Sequence, residues 1–488
     1  MEFLSPQQKK QKTRRLFLGY GLLSVLVVLA SYILISTALG YELFSSNGQV
    51  VQNGLLFVNS RPNGADIYVN GSKEASGTNA KLALPEGVYE ISLRKDGYKE
   101  WRSSVDLMGG TVEFLSFPRL LPSDPKQLAD IPYQNGTVTA LQSRDKRWLA
   151  LSLLDGSNNI DLYDLDNPNT PAIKFSLPVS LTGDKTYRLS KYLEWAGDNK
   201  HFLARFESDG SPLIVLFNRE DPVDLDNLTS TLGLQPTDEI GFWDAKWDQI
   251  YIHHQAGIVQ LANAKDHSLE AAPITSDSVL EFLPIGGKRA VYSVAGPSDK
   301  EVNLKILAEE KSYIFMTIDK SDKPLIMHAA GFNRNDYIAL GGGSLEKTML
   351  FKNLRVQVKT AENNHVAPYV LLPIQASDLD FSRTNRFIFA TDGLQNSVYD
   401  IEQKEYFKYD VPAKNPALSG WFDDARLYSV GFDKTLSIYD FNGDNVYKIS
   451  ESVNGVPYVN GGVTHATFDF QSTSSQSLRT IDIETATN

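Results

Sequence analysis

The sequence predicts an all-β protein carried on a single N-terminal transmembrane helix. Three observations predict it. An uncharged run extends from Leu16 to Tyr41, directly behind Lys9, Lys10, Lys12, Arg14 and Arg15. Beyond it, short stretches of alternating apolar and polar residues are cut by clusters of Pro, Asn, Asp and Gly, the mark of strands with one buried face. In the larger C-terminal part, a polar turn followed by an alternating strand recurs roughly every 45 residues, the period of β-propeller blades.

The apolar run defines the first elements. A helix rises about 1.5 Å per residue, so about 20 such residues cross a hydrocarbon core of ~30 Å. Residues 1–15 then form a cytoplasmic basic tail and 16–40 the transmembrane helix. No Lys or Arg follows until Arg61, so the charge asymmetry keeps the N-terminus inside and exports the body. A signal peptide has a shorter apolar core of ~7–15 residues and a small-x-small cleavage site. Ser36-Thr37-Ala38 imitates such a site, which makes cleavage near Leu39 the alternative to an uncleaved anchor. The chain carries 59 acidic against 47 basic side chains, a net charge of −12. An acidic exported body repels phosphate backbones, so no nucleic-acid partner is expected. The absence of cysteine excludes disulfides, thiol catalysis and Cys-ligated metals.

A polar linker, 41–53, leads to a small antiparallel β-sandwich at 54–118. In VYEISLRK, Tyr89, Ile91 and Leu93 share one face; in KEWRSSVDL, Trp101, Ser103, Val105 and Leu107 do. Pro62-Asn63-Gly64, Asn70-Gly71, Pro85-Glu86-Gly87 and Asp96-Gly97 supply the turns. Gly87 and Gly97 are expected to serve turns and Trp101 to be buried. Two segments carry more than strand pattern: Pro62-x-Gly64-Ala65-x-Ile67-Tyr68-Val69-Asn70-Gly71, and Leu84-Pro85-Glu86-Gly87-Val88-Tyr89 followed by Arg94-Lys95-Asp96-Gly97-Tyr98. Together they resemble the PEGA domain, with Val88 in place of the final Ala of its name. The resemblance implies a β-rich envelope module without catalytic residues, more a spacer than a binder.

Pro118, Pro122 and Pro125 punctuate a linker at 119–126, and 127–486 reads as a β-propeller. The repeated strands begin near Trp148, Phe202, Ile250, Ala290, Tyr337, Phe387, Leu427 and, more weakly, Ala466. Eight blades are favoured, with seven as the alternative because the last unit is short. Aromatic residues often precede the turn, as Trp195, Phe381 and Trp421 do. A second strand ends in Tyr-Asp at Tyr163-Asp164, Tyr399-Asp400 and Tyr439-Asp440, with an equal interval of twelve from Phe387 and from Leu427. Repetition of one residue type at one position suggests packing for the tyrosines and turn acceptors for the aspartates. A strand near Leu128–Tyr133 is expected to close the ring against the last unit, removing exposed edges. The repeats resemble divergent WD-type or TolB-type propellers. Phe381–Arg386 is the nearest counterpart of their turn, Tyr-Asp stands for Trp-Asp, and Trp243-Asp244 and Trp247-Asp248 fall before the strand.

No catalytic, cofactor-binding or metal-binding residues are assigned. Seven histidines occur, none in a metal-ligating spacing. His253 and His254, adjacent in an expected strand, would point to opposite faces. Gly341-Gly342-Gly343 reads as a turn and not a phosphate cradle, because strands follow it. Asp161, Asp164 and Asp166 resemble the start of a calcium loop, but its Gly and closing Glu are missing; Asp433 and Asp440–Asp444 carry the same ambiguity. Trp243, Trp247 and Tyr251 suit inter-blade packing more than a carbohydrate groove. Asn70, Asn135 and Asn227 start short glycosylation-like patterns. The ligand itself is unknown from sequence. Its surface is expected on non-repeating loops such as Gly341–Lys347 and Asp209–Ser211.

These readings converge on a single-pass, extracytoplasmic binding scaffold of the cell envelope. It is held in the lipid bilayer by its N-terminal helix and presents a loop face to an envelope protein or polysaccharide. No enzymatic activity and no cofactor are expected. The alternatives are a structural subunit of a surface layer or export assembly, and a propeller-based hydrolase or lyase.

Overall fold

The computed structural model describes residues 6–38, 41–42, 51–133, 136, 138–153, 158–361, 364–413, 416–473 and 475–486. The spacer Ser45–Gly48 and the glycosylation-like Asn135 lie outside them. The chain forms two compact units, one running from the N-terminus to Asp124 and one spanning Pro125–Thr485.

The first unit begins with helix α1, Pro6–Ala38. Its segment Arg14–Ile35 is long and apolar enough to cross a membrane, and none of that stretch is buried against the protein. Eight strands follow: β1 Tyr41–Glu42, β2 Val51–Val58, β3 Asp66–Val69, β4 Ser72–Gly77, β5 Ala80–Pro85, β6 Gly87–Arg94, β7 Trp101–Leu107 and β8 Val112–Leu115. They form two sheets. One runs β4-β3-β6-β7; in the other, β5 flanks one side of β2 while β1 and β8 flank its other side. Alternation drives the packing: Leu56, Val58, Leu82 and Leu115 face inward from one sheet, and Ile67, Ile91, Leu93, Trp101, Val105 and Leu107 from the other. At Gly54 the sheets come too close for a side chain, because a Cβ there would lie 2.6 Å from the Leu107 side chain. Trp101 is fully buried, edge-on to Phe117 at 5.8 Å. Gly97 takes a left-handed turn (φ +80°), and Gly87 opens β6 after the bend at Glu86.

This unit is not wholly antiparallel. β8 pairs with β2 in parallel, Leu55 opposite Val112 and Phe57 opposite Phe114, because the chain crosses between sheets after β7. The hairpin strand β4 was not visible in the sequence: SKEASG has no apolar alternation, and only one of its residues is even half-buried.

The second unit is a β-propeller. Eight four-stranded sheets make its blades among the described residues: 138–176, 188–227, 239–273, 279–319, 325–372, 378–410, 416–450, and 458–482 completed by β9, Gln127–Tyr133. The weak unit at His465–Gln471 is therefore a full blade. Strands are lettered a to d in chain order. The a strands of successive blades lie beside each other and so are innermost. β9 supplies strand d of blade 8, pairing antiparallel with Gln476–Asp482 from Tyr133 opposite Gln476 to Gln127 opposite Ile481. The ring is thus closed by the strand expected to close it. Gln476 locks the seam, its side-chain amide donating to both Asp469 oxygens (3.1 and 2.9 Å) and to the Gly136 carbonyl (3.1 Å).

Cores sit between neighbouring blades. Between blades 1 and 2, Phe202 stacks on Phe217 at 4.7 Å, and Phe175 meets both edge-on at 5.7 and 5.5 Å. Blades 5 and 6 share Tyr337, Ala339, Leu379, Ile388 and Tyr399 in the same manner.

Candidate functional site

Antiparallel strands place the a–b and c–d turns at one end of the ring and the b–c turns and d–a connections at the other. The a–b turns repeat one device. In blade 6, Ser382 N–H donates to the Phe387 carbonyl (2.8 Å), Asn385 N–H to the Ser382 carbonyl (2.7 Å), and Phe387 N–H to Ser382 Oγ (3.2 Å). Blade 1 reproduces it with Ser143, Lys146 and Trp148 at 2.8, 3.0 and 2.9 Å. Both turns need a left-handed residue, Asn385 at φ +60° and Lys146 at φ +64°. Asn tolerates that region and Lys does not favour it.

Arginines at these turns clasp neighbouring blades. Arg144 reaches Glu194 at 2.6 Å and Arg289 reaches Asp336 at 2.7 Å. Arg383 grips both oxygens of Asp424 at 2.7 Å and donates to the Gly461 carbonyl at 2.6 Å, joining blades 6, 7 and 8. Two cavities open around the channel. One, of about 430 Å³, is lined by Lys146, His328, Asp378, Asp380, Trp421 and Tyr458 among others. The other, of about 440 Å³, includes Glu194, Trp243, Asp244 and Asp336. In the first, His328 Nδ1 lies 3.4 Å from Asp380 Oδ1, and Trp421 Nε1–H donates to the Asp380 carbonyl at 3.3 Å. Burial lowers the Lys146 ammonium pKa, against the opposing pull of the Asp380 carboxylate. Burial pushes Tyr458 up to about 12. Among the described residues no three His, Asp or Glu side chains gather as a metal site.

The opposite end also carries exposed apolar side chains on its turns. Phe432, in the b–c turn of blade 7, is 76% exposed, and Leu394, in that of blade 6, is 68% exposed. Leu418, Ile258, Leu280 and Val179 are also exposed at this end. Phe387, Phe389 and Tyr439 have almost no surface, but the a–b and c–d end exposes apolar side chains as well, Val223 at 86%, Tyr406 at 61% and Val356 at 58%. Leu394 and Phe432 stand apart because they lie on b–c turns of neighbouring blades. Their only mark in the sequence is an apolar residue inside a turn, Phe432 between Gly431 and Asp433 and Leu394 between Gly393 and Gln395.

The loops singled out from sequence lie at this same end but offer little. Asp209–Gly210 is a two-residue hairpin turn, with Ser211 already in the next strand. In Gly341–Lys347, residues 341–343 and Leu345 are buried, and Ser344 Oγ donates to the Asp319 carbonyl at 2.7 Å. Only Glu346 and Lys347 are exposed there. The glycine run lets the chain fold inward instead of presenting a loop.

The repeated Tyr-Asp pairs occupy one position, with a correction. Tyr163, Tyr399 and Tyr439 pair with Leu149, Ile388 and Leu427. The equal interval of twelve therefore conceals a one-residue offset, because the b–c turn of blade 7 is one residue longer than that of blade 6. Tyr399 and Tyr439 are buried and Tyr163 half-buried. Asp164 accepts from Arg147 (3.1 and 2.7 Å), Asp166 N–H (3.0 Å) and Asn167 (3.1 Å). Asp400 accepts from Arg386 and from the Glu402 and Gln403 N–H groups (2.8 and 3.2 Å). Asp440 accepts from Asn445 at 2.8 Å, while Arg426 turns to Asp423 at 2.7 Å. Asp166 stays 3.8 Å from Arg147 and also accepts from Asn460 of blade 8 at 2.8 Å.

His253 ends its strand and meets the Val279 carbonyl at 3.0 Å. His254 lies in the following turn, not in the strand, and meets Asp238 at 3.0 Å. The expected aromatic cluster is split between interfaces. Trp243 and Tyr251 pack on Phe282 of blade 4 at 5.9 and 5.1 Å, and Trp247 stacks on His201 of blade 2 at 4.4 Å.

Residues 53–118 match the PEGA domain family, which bears out the resemblance read from their motifs. No curated protein is similar enough in sequence to count as a relative. Among solved structures, the C-terminal WD40 domain of Sif2 aligns at a TM-score of 0.48 and 10% identity, covering 74% of this chain and 98% of that one. Kluyveromyces lactis Hsv2 aligns at 0.41 and 13%, covering 65% and 98%. The computationally designed Ika8 protein aligns at 0.45 and 10%, covering 73% and 100%.

Proposed function

We propose that this protein is a membrane-anchored scaffold of the cell envelope. Its N-terminal helix holds it in the bilayer with the basic end in the cytoplasm, and its propeller binds an envelope protein outside. The observation that carries this reading is the pair of exposed apolar side chains, Leu394 and Phe432, on neighbouring b–c turns. A protein partner with a complementary apolar surface gains roughly 25 cal/mol per Å² of apolar area removed from water. A sugar polymer offers less apolar area and would favour aromatic faces lining a groove. Trp243, Trp247 and Tyr251 do not supply one, since each is engaged between blades.

No catalytic role is proposed. A hydrolase or lyase reading draws its support from one place, the His328–Asp380 pair beside Lys146 in the channel cavity. The test places a photo-crosslinking residue at Phe432, or at Val356 on the opposite end, in living cells. The scaffold reading expects one protein adduct from position 432 that is absent from 356 and lost when Leu394 is changed to Asp. Adducts of equal yield from both ends would contradict it. If His328→Ala abolished a measurable hydrolysis in a propeller that still crosslinks, the enzyme reading would replace it.

A further inference from the structure

The PEGA unit carries an apolar surface that neither its fold nor the scaffold role uses. β2 lies between β5 and β8, and the outward side of these three strands holds two rows of side chains. Ala83, Leu55 and Val112 form one row; Lys81, Phe57 and Phe114 form the other. Val112 and Phe114 are exposed at 45% and 52%, Lys81 and Ala83 are exposed, and Leu55 and Phe57 are half-buried. Phe57 and Phe114 stack at 4.9 Å with planes 13° apart, and the Lys81 ammonium lies 6.0 Å from the Phe57 ring. A solvated face of a small sheet is ordinarily polar, yet five of these six residues are apolar.

The position of this face in the chain says what it meets. β1 begins at Tyr41, three peptide steps beyond the last helical residue, Ala38. Three steps span at most about 11 Å. β1 is hydrogen-bonded to the start of β2, with Tyr41 opposite Gln52. The sheet bearing the apolar rows is therefore tied by its own ladder to the end of the apolar helix, and not hung on a long linker. Phe57 lies five residues from Gln52, about 17 Å along the strand at ~3.3 Å per residue. That is close enough for the face to lie on the surface from which the helix emerges. Aromatic rings with an adjacent cation are the side chains that settle at a membrane interface, the rings at headgroup depth and the ammonium at the phosphates.

We infer that the outward β5-β2-β8 face lies on the membrane surface, with Phe57 and Phe114 among the lipid headgroups and Lys81 at their phosphates. The inference rests on the helix being a membrane anchor. It makes the PEGA unit a foot that fixes the protein's stance at the bilayer, in addition to a spacer.

The test uses the full-length chain, which contains no cysteine, so one introduced thiol is a unique labelling site. An environment-sensitive fluorophore is placed at Ala83→Cys on the face. A control label is placed at Ser104→Cys, an exposed position on the other sheet. The protein is reconstituted in vesicles containing anionic phospholipid, with or without headgroup-nitroxide lipid. The expected result is several-fold stronger quenching by the lipid nitroxide at 83 than at 104, with position 83 shielded from aqueous iodide. The paired changes Phe57→Ser and Phe114→Ser should reduce that difference. A label at 83 as open to iodide as the one at 104 overturns the inference. Shielding from both quenchers overturns it too, because it places protein, a second copy included, over the face. A chain that fails to float with the vesicles overturns the anchor reading and the inference together. Flotation with an open label overturns the inference alone.

Discussion

At the scale of single residues, buried side chains hold each unit together. Trp101 is the clearest case. Its indole fills the PEGA core and meets Phe117 edge-on. Trp101→Ala should destabilise this unit by about 3–5 kcal/mol, read from its unfolding transition; an unchanged midpoint would show that the core lies elsewhere. Asp164 gives a pH-dependent case. Burial pushes its carboxyl upward, but bonds from Arg147, Asn167 and the Asp166 N–H outweigh burial and hold it below the ordinary range. A carboxylate depressed on folding stabilises the protein above its unfolded pKa of about 3.9 and loses that contribution as pH falls through the folded value. Asp164→Asn should therefore lower stability at pH 7 by about 1 kcal/mol, below the ~1.5–3 kcal/mol of a buried charged hydrogen bond because Arg147 is 44% exposed. It should also make acid unfolding less steep. An identical acid limb in wild type and variant would contradict this. The aspartates were legible in sequence because strand-end Asp before a turn has one common use. Their arginine partners were not, because Arg147 and Arg386 belong to the preceding turn, and blade 7 breaks the pattern by sending Arg426 to Asp423.

At the scale of elements, periodicity carried most of the fold. Eight recurring strands marked eight blades, and β9 paired where expected. Strand β4 and the parallel β2–β8 pairing escaped, since an exposed hairpin strand shows no alternation and a crossover between sheets leaves no local signature. The closing strand is the element whose loss matters most. In an antiparallel ladder, one of every two adjacent N–H groups on β9 faces its partner. Asp130→Pro combined with Ile131→Pro must then remove a ladder bond, and leaving its buried acceptor unmet costs about 1–3 kcal/mol. Amides of Gln476–Asp482 should lose hydrogen-exchange protection before those of blades 3 and 4. Uniform loss across all blades, or none in Gln476–Asp482, would show that the seam does not hold the ring.

At the scale of the whole molecule, the apolar helix and the two β units were legible, but the surface proposed to meet a partner was not. A glycine run in a turn reads as an exposed loop, yet Gly341–Gly343 are buried. Phe432 and Leu394, which do face water, sit inside short turns where strand patterns give no signal. Side-chain direction in a turn depends on backbone conformation that alternation does not encode. The proposed topology, one helix holding the body outside the cytoplasm, is checked by protease protection. Protease is added to intact spheroplasts carrying the full-length chain with an epitope at each end. The account predicts loss of the C-terminal epitope and survival of a small membrane-bound fragment bearing the N-terminal one. Survival of the C-terminal epitope until the membrane is permeabilised, or release of a soluble body that begins near Leu39, would contradict it.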